Sequence, residues 1–145
     1  MKAVVTRCSS AYVRVDGEIV GQLPSPGLMV LVGVAHDDDT TTAQKLVKKI
    51  AGLRILEGEQ SAVDVRAPLL VISQFTLCGS VRKGRRPSWS AAAGAEHAEP
   101  LVRRVCELFE QLGLEVQSGQ FGATMEVQSV NDGPFTILVD TADLA

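Results

Sequence analysis

Apolar and polar residues alternate through AYVRVDGEIVGQL (residues 11–23), on both sides of Asp16-Gly17. Period-two alternation marks strands with one buried face, and Asp-Gly between two such runs is a strong short-range hairpin signal. LMVLVGVA (28–35) is apolar without interruption, the pattern of a strand buried on both faces. PLLVISQFTL (68–77) reads the same way. Behind DDDTTT the period changes: Ala43, Leu46, Val47 and Ile50 fall at i, i+3, i+4, i+7, one helical face, with Asp39 or Thr40 placed to cap its first turn. A second helical face carries Leu101, Val102, Val105, Leu108, Phe109 and Leu112, with Gly113 as its stop. Pro100 belongs in the first turn of that helix or marks its start. ATMEVQSV (123–130) and FTILVD (135–140) predict a last pair of strands, with Asp132-Gly133 again as the turn signal. The expected fold is α+β, a largely antiparallel sheet curled toward a barrel with two main helices packed on it.

Composition narrows the setting. The 145 residues contain no internal repeat or low-complexity linker, so one domain over 1–145 is expected. Hydrophobic residues make up 46% and charged residues 21%, a globular rather than a disordered balance. No apolar run approaches the roughly 20 residues of a membrane helix, and MKAVVTRCSS lacks the long apolar region of a secretory signal. Cys8, Cys78 and Cys106 are odd in number and widely spaced, which argues for a reducing, cytoplasmic setting and against a disulfide framework or a zinc site.

The net charge of −3 gives no uniform attraction to nucleic acid, DNA included, but the average hides a patch. VRKGRRPSW places Arg82, Lys83, Arg85 and Arg86 within five positions, where Gly84 and Pro87 prevent regular structure. Such a loop either contacts phosphates or is simply solvated; phosphate contacts would position a nucleic acid without reading its sequence.

Familiar catalytic patterns are absent. There is no Walker loop, dinucleotide fingerprint or metal-ligand cluster, and His36 and His97 have no nucleophile beside them in a triad-like pattern. Cys78 is followed by cations that would lower its pKa if they lay near it; a structural cysteine after a buried strand is the competing reading. SQFTL (73–77) puts Ser73, Gln74 and Thr76 at the end of a strongly apolar strand, with Phe75 among them. Either the strand's exposed face turns polar there, or strand-end groups converge on a pocket.

SQFTL and the segment Asn131, Gly133, Pro134, Phe135, Thr136, together with their separation, RKGRRPSW and FGATMEV, are similar to the bacterial-type D-aminoacyl-tRNA deacylase family, also described as D-tyrosyl-tRNA(Tyr) deacylases. The resemblance runs almost end to end. It implies an esterase that hydrolyses the bond between a D-amino acid, or achiral glycine, and the 3′-terminal adenosine of tRNA, with no metal or organic cofactor. It implies a homodimer in which a cis Gly133-Pro134 peptide enters the partner's pocket and excludes the side chain of an L-amino acid. Ser73, Gln74, Phe75 and Thr76 would line the pocket, Thr76 in a positioning role, with Met125 in the same region. Arg7 would help hold the Gly-Pro segment and Asn131 would shape it. Water is the implied attacker, assisted by the substrate's own 2′-hydroxyl, which accounts for the missing triad.

The chain departs from the family pattern in places. Cys78-Gly79-Ser80-Val81 replaces the usual Ala-Asp-Thr region after SQFTL, Thr6-Arg7-Cys8 keeps only the arginine of Gln-Arg-Val, EGEQSAVDVRAP is shorter than its counterpart, and Phe135 stands for a valine. Two other readings compete with the enzyme: a non-catalytic RNA-binding module using loop 82–86, and a structural dimerisation domain with an interface turn at Gly133-Pro134.

Overall fold

A computed structural model of the chain describes residues 1–145. Asp16 and Gly17 both take positive φ, 49° and 81°, the two-residue hairpin geometry that matches strand twist. They join strands β1 (Lys2–Val15) and β2 (Glu18–Gln22), in the pairing that the alternation predicts. The inner half of β1 pairs antiparallel with β3 (Gly27–Gly33) on the same side.

The next two connections are helical, and they set strand direction. β3 leads through α1 (Thr40–Gly52) and the short α2 (Ala62–Val65) to β4 (Leu69–Ser73), and β4 leads through α3 (Ala95–Gln111) to β5 (Val116–Ser118). Long crossovers of this kind return the chain in the same direction, so β3–β4 and β4–β5 are parallel while all pairings of β1 are antiparallel. The path β2-β1-β3-β4-β5 curls until its ends meet. At that seam the Gln117 side chain accepts the Gln22 N–H at 2.8 Å, with no strand pairing between β2 and β5. The result is a sheet closed into a barrel except at one seam.

Both faces of β3 and β4 are covered, which is why their sequences are continuously apolar. Leu28, Val30, Val32, Leu69 and Val71 pack with the helices, whereas Met29, Leu70 and Ile72 join Cys8, Val13 and Leu23 in a second cluster. Helix α1 buries Ala43, Leu46, Val47 and Ile50 as its periodicity predicts. Its cap is Asp39, whose carboxylate accepts the Thr42 N–H at 2.9 Å while the Thr42 hydroxyl accepts the Asp39 N–H at 3.2 Å. No helix is long and apolar enough to cross a membrane.

Two expectations about α3 fail. It starts at Ala95, so Pro100 is its sixth residue rather than part of its first turn. The ring sits on the exposed face, and the one bond it removes, to the Glu96 carbonyl, lies in the solvated end of the helix. Leu112 is the C-cap and is exposed, because the helix ends before that position can turn inward.

The expected final hairpin is also absent. Residues 126–140 form one strand, β6 (Glu126–Asp140), which runs antiparallel to β1 along nearly its whole length. The register jumps between Thr6↔Thr136 and Cys8↔Asn131, so β6 spends five steps where β1 spends two, and residues 132–135 stand out from the ladder. The Asp-Gly signal marks a bulge within a strand, not a reversal of the chain.

Candidate active site

The end of β4 builds one wall of a cavity of about 340 Å³. Ser73 is the last strand residue, beside Val32. Gln74 then leaves the sheet while its N–H still bonds the Val32 carbonyl at 2.7 Å, and Phe75–Cys78 form a 3-10 turn. SQFTL is therefore a strand end turning into a helical corner, rather than a strand throughout. Ser73, Gln74 and Phe75 line the cavity together with Met125. Thr76 does not: it is exposed, and its hydroxyl accepts a hydrogen bond from the Gln74 amide at 2.5 Å. Its visible task is to fix Gln74.

The opposite walls were not marked in the sequence. Ala95, Ala98 and Val102 come from the first turns of α3, and Phe121 comes from the segment before β6. Small apolar residues carry no chemical signature, although Phe121 belongs to the FGATMEV stretch that resembles the family. The cavity is thus mostly apolar with a few polar groups at one end, the composition of a small-molecule site. Gly94 caps α3 without a side-chain bond, and the N–H groups of Phe75 and Thr76, first in their turn, have no backbone acceptor.

Gly133 and Pro134 do not line this cavity. They sit in the bulge of β6, and the peptide between them is cis. The Arg7 guanidinium reaches across from β1. Its Nε donates to the Asp132 carbonyl at 2.9 Å, Nη2 to the Gly133 carbonyl at 2.8 Å and Nη1 to the Ile55 carbonyl at 3.2 Å. The Phe135 ring lies 4.9 Å from the guanidinium carbon, and the Asp132 carboxylate 3.4 Å from Nε. Asn131 donates to the Arg7 carbonyl at 3.0 Å and accepts from the Thr136 hydroxyl at 3.0 Å. Arg7 and Asn131 hold the bulge, yet its tip faces open space: a β-carbon at Gly133 would meet nothing within 4 Å.

The remaining candidates resolve simply. Arg82, Lys83, Arg85 and Arg86 are exposed and make no salt bridge, in a loop closed by reciprocal Ser80–Ser88 backbone bonds of 2.8 Å. Cys78 is buried, and burial pushes its thiol up, with Asp38 adding to the effect. The neighbouring cations do not activate it. His36 and His97 hold the backbone carbonyls of Ser90 and Asp38, at 2.8 and 2.7 Å. No group of His, Cys, Asp and Glu is arranged to bind a metal.

Among solved structures the chain is similar to the c-Myc DNA Unwinding Element Binding Protein, with a TM-score of 0.89, 36% identity and coverage of 97% and 98% of the two chains. A probable eukaryotic D-amino acid tRNA deacylase has the same fold, with a TM-score of 0.84, 17% identity and coverage of 95% and 97%. These two define the fold class, an α+β barrel closed except at one seam. The D-Tyr-tRNA(Tyr) deacylase family model matches residues 4–140, and the chain belongs to that family. Its relatives include the D-aminoacyl-tRNA deacylases of Cutibacterium acnes, 57% identical with 99% of each chain covered, and Thermobifida fusca, 56% identical with 97% and 99% covered.

Proposed function

We propose that this chain, acting as one domain in the cytoplasm, hydrolyses the ester of D-aminoacyl-tRNA to release the D-amino acid and free tRNA. Glycyl esters mischarged on tRNA(Ala) are substrates on the same logic, because glycine has no side chain to reject. The observation that carries this reading is a division of the site. The cavity presents Ser73 and Gln74 for the terminal adenosine and its ester, while a rigid Gly-Pro bulge projects outward from another part of the same chain.

The two halves meet if a second copy inserts its Gly133-Pro134 into this cavity. Homodimer formation has a suitable surface. β6 pairs only with β1, its outer edge is free, and it exposes Val130 and Leu138, the latter by 81%. The open space around Gly133 supports the same reading, since nothing within the chain requires glycine there. In the assembled site the carbonyls fixed by Arg7 meet the α-carbon of the substrate. Backbone atoms suit a chirality filter because they work alike for every side chain. Sparing an L-ester a thousandfold requires about 4 kcal/mol of transition-state discrimination, within the reach of a steric clash.

Chemistry then needs little more. An aminoacyl ester is activated, water attacks its carbonyl, and the substrate's 2′-hydroxyl assists. The Phe75 N–H, which has no backbone acceptor and belongs to a residue that lines the cavity, is the donor for the developing oxyanion. The test is parallel incubation with D-tyrosyl-tRNA and L-tyrosyl-tRNA at catalytic enzyme concentration. Release of D-tyrosine alone is expected. Equal hydrolysis of both esters defeats the filter, and hydrolysis of neither leaves an RNA-binding module built on loop 82–86.

A further inference from the structure

Beyond the cavity, an exposed aromatic pair stands at its rim. Phe75 lines the cavity but is 55% exposed, and Trp89, 43% exposed, meets it edge to face with ring centroids 5.5 Å apart. Large aromatics left this open in a small protein call for a partner. Trp89 is also seated with care. A β-carbon at Gly79 would stand 2.5 Å from its Cζ3 and 2.9 Å from its Cε3, so the indole rests on a backbone stripped of side chain. Gly79 has φ −69° and ψ 144°, a conformation open to any residue, so the close approach of the indole is the local reason for glycine.

The surroundings specify the partner. Arg86 is three residues before Trp89, and the unpaired cations of loop 82–86 lie on one side of the Ser80–Ser88 closure. On the other side, residues 93–98 run from just past Trp89 into the cavity wall. Cations for a phosphate backbone, an exposed indole, then an open, mostly apolar pocket form a track for single-stranded nucleic acid, in which sequential bases stack on aromatic rings. We propose that Trp89, resting on Gly79 and Phe75, is the stacking platform for the base next to the terminal adenosine at the 3′ end of the substrate RNA. This rests on the deacylase reading, which places the terminal nucleoside in the cavity. Trp89 thereby helps measure whether the ester belongs to a polynucleotide rather than to a free nucleoside.

Trp89 is the sole tryptophan, so its fluorescence reports the site directly. The ribotrinucleotide CCA should quench it saturably, whereas adenosine monophosphate, which reaches only the cavity, should not. Trp89→Ala should raise KM for D-tyrosyl-tRNA by roughly fivefold to 140-fold, the range for losing one base stack. The penalty should be absent with 3′-D-tyrosyl-adenosine, which has no neighbouring base. Trp89→Phe should recover part of the loss. Gly79→Ala, whose β-carbon displaces the indole and stands 3.0 Å from the Thr76 carbonyl oxygen, should show the same substrate-dependent defect. Absence of CCA quenching, or equal losses on both esters, overturns the proposal. Failure of the unaltered protein to hydrolyse either D-ester would instead overturn the deacylase reading itself.

Discussion

Replacing Arg7 with lysine tests the filter most directly, because it keeps the charge and removes the geometry. The guanidinium serves three carbonyls at once, those of Asp132, Gly133 and Ile55, at 2.8 to 3.2 Å. A lysine ammonium is a point donor on a flexible stem and can reach one of these positions in a single rotamer. Two bonds are then lost. Hydrogen bonds from charged donors contribute about 1.5–3 kcal/mol each, and the two at the bulge are solvent-exposed, so about 1 kcal/mol apiece is the appropriate figure. The sum, about 2 kcal/mol, corresponds to roughly a 30-fold loss in how strictly the bulge is held. The assay is the ratio of kcat/KM for D-tyrosyl-tRNA to that for L-tyrosyl-tRNA. Arg7→Lys should lower this ratio by roughly 30-fold. Asp132→Asn is the internal control. It removes only an ion pair of 3.4 Å to a largely exposed carboxylate, worth about 0–1 kcal/mol, so the ratio should move by less than about fivefold. A ratio for Arg7→Lys within about threefold of the unaltered protein would refute the claim that these bonds set discrimination.

Two further outcomes are expected. Replacing Arg85 and Arg86 with alanine should reduce the salt dependence of tRNA binding by about 0.7–0.9 in log–log slope per lost phosphate contact, and an unchanged slope would show that the loop does not touch phosphates. Asp39→Ala should lower the melting temperature at pH 7, with a gap that closes in acid. The Thr42 backbone N–H holds the Asp39 carboxyl below its ordinary value. Its stabilisation is therefore complete above the unfolded pKa of about 3.9 and disappears as pH falls through the lower folded value. A gap of the same size at pH 7 and pH 2 would show that the charged cap is not its source.

The features legible in the sequence are those whose cause is local. The 43, 46, 47, 50 face of α1, its cap at Asp39 (one of the two positions, Asp39 or Thr40, that the pattern offers) and the Asp16-Gly17 hairpin depend on residues a few positions apart. SQFTL stands out for a related reason, polar groups at the end of a short apolar string, whereas the Asn131–Thr136 stretch is marked as a motif by the family resemblance. Trp89 and Gly79 carry no such local link, since nine residues of loop lie between the ring and the backbone it rests on.

Local pattern carries the inventory: strands, two main helices, a polar strand end, a basic loop and a Gly-Pro segment. Their relations arise only from long-range pairing. Asp132-Gly133 has the residue types of a hairpin turn, but β1 is long enough to pair with both halves of β6, and ladder bonds along residues 2–14 hold the strand straight through the signal. The same ladder brings Arg7 to carbonyls 125 and 126 residues away and leaves the Gly-Pro tip outside its own cavity. A local turn preference is worth little against rows of backbone hydrogen bonds on both sides of it, and no local pattern records which distant strand will supply them.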